Sequence, residues 1–271
     1  MPAIESLRQG DLTATLSEVQ QQVREHPEEP RHRVFLFQLL AVLGDWPRAA
    51  TQLDVLADLH AAALPMARTY REAVRVELLR AQVFAGRTTP VIFGEPEAWM
   101  ALLLESLRQA ADGRFAEAGR LRDLAFEQAP AIPGTIDGAS FSWLADADTR
   151  VGPMLEAIVD GRYWWVPFQR IRAVRIEPPA DLRDLVWAPA FLTWVNGGDK
   201  VALIPARYPG SEAHQDPAIR MGRRTEWTER EGGTVVEGLG QRMLATDLGE
   251  HPLLEVREIL LQTATPTDAG A

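Results

Sequence analysis

The side chains able to do chemistry are few in this sequence, and their spacing seldom brings two of them together. The five histidines, His26, His32, His60, His214 and His251, never stand four apart on one helix face and never form an H-E-x-x-H box. No cysteine is present, which removes thiolate nucleophiles, disulfides and sulfur-ligated metals. Lys200 is the single lysine among 28 basic residues, so Schiff-base or phosphate-loop chemistry has one candidate. Ser211 follows Gly210 without the G-x-S-x-G elbow that would present a nucleophile. Gly238-Leu239-Gly240-Gln241-Arg242 lacks the third glycine of a dinucleotide fingerprint and reads better as a tight turn or bulge ahead of a strand at Gln241. Asp146 with Asp148, and Asp181 with Asp184, could share acid/base work, but capping and solvation are the plainer account. His214-Gln215-Asp216 places a histidine beside a carboxylate in a loop; a surface turn explains it, and a hydrolase using loop carboxylates near His214 is the enzymatic alternative. Nothing in these spacings requires an enzyme, and the chain is expected to need neither cofactor nor metal.

A different kind of chemistry is concentrated between Gly161 and Ile176, where Tyr163, Trp164, Trp165 and Phe168 alternate with Arg162, Arg170, Arg172 and Arg175 and no acid intervenes. Aromatic rings interleaved with arginine can stack the bases of a single strand. The same residues anchor protein interfaces. The blandest account buries one Trp and pairs the arginines with Glu156, Asp160 or Glu177. Charge argues against nucleic acid: the net charge is −10, with 14 basic against 18 acidic residues up to position 128 and 14 against 20 beyond it.

The elements that must carry these residues change character near position 130. Through residue 128 apolar residues recur every three to four positions, as in Leu12, Leu16, Val19 and Val23, and Pro27 and Pro30 close that helix. A second, more buried helix covers Val34 to Leu43, too short for a membrane span, and a third starts at Asp45-Trp46-Pro47. Gly10-Asp11 and Gly44-Asp45 are 34 residues apart and Gly113-Arg114 lies 69 further on, which suggests a tetratricopeptide-like stack interrupted between Arg80 and Pro96. Beyond Pro130, alternation replaces the helical period. Asn196-Gly197-Gly198 between Phe191–Val195 and Val201–Ile204 predicts a hairpin. Further strands are expected at Tyr163–Val166, Arg170–Ile176, Met221–Trp227, Gln241–Thr246 and Leu253–Leu261, with a short helix at Asp181–Trp187. The expected fold is therefore α+β: a TPR-like helical domain over 1–128, a mainly antiparallel β domain with a short helix over 129–261, and a disordered tail over 262–271. The first ten residues carry no apolar signal-peptide core, so a cytoplasmic protein is expected.

Four ordered strings in the second half resemble a known family. Tyr163-Trp164-Trp165-Val166-Pro167-Phe168-Gln169-Arg170-Ile171, the segment from Ile176 to Trp187, Ile204-Pro205-Ala206-Arg207-Tyr208-Pro209-Gly210-Ser211 and Gly238-Leu239-Gly240-Gln241-Arg242-Met243-Leu244 closely resemble the ImpE family, also called TagJ or SciE. The helical first half with its Gly-Asp turns fits as well. The resemblance implies an accessory protein of bacterial type VI secretion without catalysis. It further implies recognition of the N-terminal helix of the small sheath subunit TssB and, in some systems, association with the ClpV ATPase. A helical stack suits such a role, because its grooves can take the apolar face of a partner helix. The residues expected to provide that contact are Phe35, Trp46 and Trp99 in the helical half, and Trp164, Trp165, Arg170, Arg207 and Tyr208 in the β half. No membrane, nucleic-acid or metal partner is expected.

Overall fold

A computed structural model describes residues 2–230 and 235–263. Among them, seven α-helices precede residue 129: α1 (Pro2–Arg8), α2 (Leu12–Glu25), α3 (Pro30–Val42), α4 (Trp46–Leu59), α5 (Leu64–Phe84), α6 (Ala98–Ala111) and α7 (Phe115–Gln128). Glycine sets their punctuation. Gly10, Gly44, Gly86 and Gly113 all adopt φ between +68° and +81° directly after a helix. At Gly44 the glycine N–H returns to Ala41 O and the Asp45 N–H to Leu40 O, and the other three turns repeat the pattern. Only a residue without Cβ takes this helix stop cheaply. Asp11 and Asp45 then cap the next helix, accepting from the N–H of Ala14 at 2.8 Å and of Arg48 at 3.3 Å. The 34-residue spacing is thus the distance between two helix-hairpin turns. The period fails at its second step because α5 runs unbroken through Leu78, with neither Gly nor Pro between Pro65 and Ala85, and stops only at Gly86.

The strands are β1 (Val91–Ile92), β2 (Gly134–Ile136), β3 (Ala139–Phe141), β4 (Leu144–Asp146), β5 (Met154–Val159), β6 (Arg162–Pro167), β7 (Ile171–Ile176), β8 (Trp187–Trp194), β9 (Asp199–Pro205), β10 (Thr225–Arg230), β11 (Val235–Gly240), β12 (Met243–Thr246), β13 (Gly249–Pro252) and β14 (Glu258–Leu261), with a four-residue helix α8 (Pro217–Arg220). Nine form one sheet in the order β1-β6-β5-β9-β8-β7-β14-β2-β3; β10 and β11 make a ribbon, and β13-β12-β4 a small second sheet. Every pairing is antiparallel except β1 with β6, where Val91 lies opposite Trp164. The predicted hairpin is β8–β9, with Gly197 at φ +88° in its turn.

Several expected elements are corrected. The short helix at Asp181–Trp187 is a 3-10 turn over Leu182–Leu185, and Trp187 already opens β8. The Asp184 carboxylate holds this turn by accepting from the N–H of Ala180 and Asp181. The strand placed at Met221–Trp227 begins at Thr225, because Met221 closes α8 and Gly222 turns the chain at φ +61°. The Gly238–Gly240 segment lies inside β11 and is not a turn before the next strand. Leu253–Leu261 narrows to β14, its first residues forming a turn on which Arg257 donates to Leu254 O. Of the predicted tail, Gln262 donates its N–H to Pro133 O, and residues 264–271 lie outside the described residues.

Alternation along β6 divides the large sheet into two faces. Tyr163 and Trp165 join the core beneath the helices, whereas Trp164 and Val166 join the core on the opposite face. The helix-side core is continuous across residue 128: Phe37 packs on Tyr70, and Tyr70 and Trp46 both pack on Trp187 with ring centroids 5.6–5.9 Å apart. Secondary structure changes type near residue 130, but the apolar packing does not stop there.

Candidate protein-binding site

The strings that carry the family resemblance converge on a buried layer of charge between α5 and the sheets, here called the seam. Its centre is Glu156 on β5, the one carboxylate in the otherwise apolar run Met154–Val159 and fully buried. Arg80 of α5 meets it with both arms of its fork, Nε to Oε1 at 2.7 Å and Nη2 to Oε2 at 2.9 Å. The planar guanidinium matches the carboxylate in this geometry. Arg242 lies on its other side and bridges Glu156 to Asp146. The Tyr163 hydroxyl donates to Glu156 and accepts from Trp165 Nε1 at 2.7 Å. Glu77, one turn before Arg80, accepts from Trp187 Nε1 at 2.9 Å. Asp148 pairs with Arg150 and accepts the Gly238 N–H at 2.9 Å.

Four guanidinium groups (Arg80, Arg150, Arg207 and Arg242) thus face four carboxyl groups (Glu77, Asp146, Asp148 and Glu156). Burial would push Glu156 up, but Arg80 and Arg242 on either side hold it down at about 2. Burial dominates at Asp146, which has a single guanidinium and the Asp148 carboxylate beside it, and lifts it to about 7. Burial likewise raises Glu77. Asp146 and Asp148 are therefore interior partners of arginine, which corrects the expectation that capping and solvation explain them.

Arg207 and Tyr208 belong to the same layer. The Arg207 guanidinium is buried at the end of α3, donating to Val42 O at 2.8 Å, to Ala41 O at 3.2 Å and to Arg220 O. These are carbonyls that a helix C-terminus leaves without intrahelical partners. Burial lowers Arg207 to about 10. Tyr208 donates to Asp146 at 3.0 Å, and its ring fills the space that a Cβ at Gly238 would overlap. Ser211, also buried, donates to Tyr208 O and accepts the Gly240 N–H at 2.7 Å. The glycines of β11 therefore make room for a tyrosine ring and for the Arg224 carbonyl that a Cβ at Gly240 would meet.

The eight residues expected to contact a partner separate into two groups. Trp99, Trp165, Arg207 and Tyr208 are no more than 4% exposed and face the interior. Phe35, Trp46, Trp164 and Arg170 keep partial exposure. Trp46 lies against Trp187, and Phe35 borders the helix-side core. Trp164 meets Phe93 edge-on at 5.8 Å, and Phe93 stacks on Trp194 at 4.2 Å. Beside them Arg170 pairs with Glu97, the residue that also accepts from Trp99 Nε1. Trp164 and Arg170 thus reach the surface near one another, whereas Phe35 and Trp46 stand apart on α3 and α4. The remaining arginines of the stretch are outward: Arg175 pairs with Glu258, and Arg172 donates to Val195 O.

His214 accepts the Asp216 N–H on Nδ1 at 3.0 Å, its Nε2 lies 3.5 Å from Glu226, and Asp216 caps α8 through the Ala218 N–H. Among the described residues, no three His, Asp or Glu side chains are placed to share a metal ion, and no helix is long and apolar enough to cross a membrane.

Sequence reasoning missed the seam because arginine and tyrosine are surface residues by default. The signal that could have found it is the lone Glu156 in an apolar strand, which requires a buried cation from elsewhere.

Comparison with known proteins places this architecture. Residues 138–260 match the ImpE protein family, a span from the β2–β3 turn to β14 that includes the sheet side of the seam but neither Glu77 nor Arg80. Over 269 residues the chain is 52% identical to the type VI secretion system accessory component TagJ of Pseudomonas aeruginosa, covering 99% of this chain and 93% of that protein. The crystal structure of protein VPA1032 from Vibrio parahaemolyticus superposes with a TM-score of 0.87 over 97% of this chain and 98% of that one, at 22% identity, which speaks for the fold alone. On the full-length identity and the matched segment together, the chain belongs to the ImpE/TagJ family.

Proposed function

We propose that this protein is a non-catalytic, cytoplasmic accessory component of a type VI secretion system that works by binding the N-terminal helix of the small sheath subunit TssB. In systems that use the contact, it also links the sheath to the ClpV ATPase. The observation that carries the reading is the 52% identity, over nearly the whole length of both chains, to a protein whose role is accessory to that system. The seam supports it indirectly: its carboxyls and guanidinium groups are buried against one another and the backbone, an arrangement that holds a scaffold. A rigid scaffold presents a binding surface without spending affinity on ordering it. Phe35, Trp46, Trp164 and Arg170 stay within the proposal as contact residues.

The test is a titration of the full-length protein against a labelled peptide of the cognate TssB N-terminal helix. Saturable binding with a micromolar or tighter Kd is expected; no binding at high micromolar protein would overturn the sheath-helix reading. Separate halves are unsuitable reagents, because cutting near residue 128 exposes the core that both share.

A further inference from the structure

The first half of α5 lies against the β5–β6 turn, and the two border a cleft that the seam does not use. Asp160 and Gly161 make that turn at φ +50° and +70°, a left-handed pair that lets a two-residue hairpin close tightly. Arg75 donates from Nη2 to Gly161 O at 3.3 Å, and the Glu72 side chain packs over Gly161, where an added Cβ would lie 3.2 Å from its Cγ. Arg68, Glu72 and Arg75 follow at i, i+4 and i+7, so one face of the helix supplies a wall. Ile158 of β5 with Val201 and Leu203 of β9 supply apolar surface, and Arg162, the first residue of β6, lines the same cleft. Its volume is about 510 Å³, the size of a small organic ligand rather than of a bare ion.

The charges around the cleft do not balance. Glu72 is paired with Arg75, and Asp160 with Lys200 at 2.8 Å. Arg68 and Arg162 are left over: both are exposed, and neither has an ion-pair or hydrogen-bond partner among the described residues. Two uncompensated guanidinium groups on one concavity repel each other, and here they do so in a chain of net charge −10, where carboxylates to neutralise them are plentiful. The planar fork of arginine matches the oxygens of a phosphoryl group. Val201 is 66% exposed, and its cross-strand partner Phe191 is 45% exposed on the same face, so an apolar step continues from the cleft onto the sheet. An inorganic anion would use the arginines and leave this step in water, whereas an organic anion with a flat ring uses both.

We infer that this cleft binds an organic phosphate of nucleotide size, with its phosphoryl oxygens on Arg68 and Arg162 and its ring on Val201 and Phe191. The inference stands apart from the sheath reading, and neither depends on the other.

The experiment is a calorimetric titration of the full-length protein with three probes: ADP, adenosine and inorganic pyrophosphate. ADP is expected to bind at one site with a Kd of about 10–100 μM, and adenosine or pyrophosphate about tenfold more weakly, since each uses half of the cleft. Arg68→Ala and Arg162→Ala remove exposed side chains without partners, so the melting midpoint stays where it is, and each is expected to weaken ADP about tenfold. Val201→Glu sets a carboxylate on the apolar surface and is expected to weaken ADP by about as much. The control is Arg24→Ala, which removes an exposed arginine of α2 that also lacks an ion-pair partner among the described residues, and it should leave the Kd unchanged. No binding of ADP at millimolar concentration overturns the inference, as does ADP binding that survives both cleft-arginine variants. A loss with Arg24→Ala equal to that with Arg68→Ala would mark counterion exchange over the whole surface and overturn it too. Pyrophosphate binding as tightly as ADP would overturn the part assigned to the ring.

Discussion

Strand β4 borders two regions that solve opposite problems. Its inward residue Asp146 enters the seam, where charge is buried and each group is held by a partner of opposite sign or a backbone carbonyl. Its outward neighbours Trp143 and Ala145 border an open slot beside Phe126, where apolar surface is exposed. The seam is saturated within the molecule and fixes the helices to the sheets. The slot leaves its two aromatic rings partly in water. Buried charge here fixes the architecture, whereas apolar surface is what the small sheet leaves exposed.

The largest expected effect breaks the seam at its bridge. Replacing Arg242 by Ala leaves Glu156 short of one cation and Asp146 with none, both fully buried, and is expected to cost about 3–5 kcal/mol in chemical denaturation. Binding per folded molecule should be retained, which separates the scaffold from the binding surface. Gly238→Ala acts on the seam sterically: the added methyl overlaps the Tyr208 ring and is expected to cost roughly 1–3 kcal/mol.

A pH dependence tests the seam without a substitution. Asp146 sits at about 7 in the fold against its ordinary value of 3.8, so the folded state binds its proton more tightly and stability falls as pH rises from 4 to 7. Glu156 runs the other way, at about 2 against 4.5, so its contribution is full above pH 4.5 and is lost as pH falls towards 2. On these two groups stability therefore peaks near pH 4, where the limbs cross. Asp146→Asn should flatten the limb between pH 4 and 7 and leave the acid limb intact; an unchanged slope there would show that Asp146 does not titrate as described.

How much of this was legible depended on whether the cause was local. Glycine helix stops, the 3.6-residue period and the Asn-Gly hairpin are set by neighbours in sequence, and all appeared where the residues pointed. The interruption of the repeat was visible, but its form, one 21-residue helix, was not. Burial of Arg207 and Tyr208 was hidden because their partners are remote: Arg207 closes on a carbonyl 165 residues away, and Tyr208 on a carboxylate 62 away. The slot was hidden for a related reason. Alanine in a strand looks featureless until two aromatic side chains from other segments stand on either side of it.

The parallel pairing of β1 with β6 and the reach of Arg80 and Arg207 across the molecule bear on how the protein folds as well as on what it is. Arg80 meets Glu156 across 76 residues, and Arg207 meets Val42 across 165. Closing loops of that length is slow relative to forming helix hairpins, and the reward arrives only when both ends are already in place. Seam contacts are therefore expected to form late, after the transition state, and refolding and unfolding rates of the Arg242→Ala variant check this. Weakening them should leave the refolding rate almost unchanged and shorten the lifetime of the folded molecule, so the seam governs how long the protein persists once made.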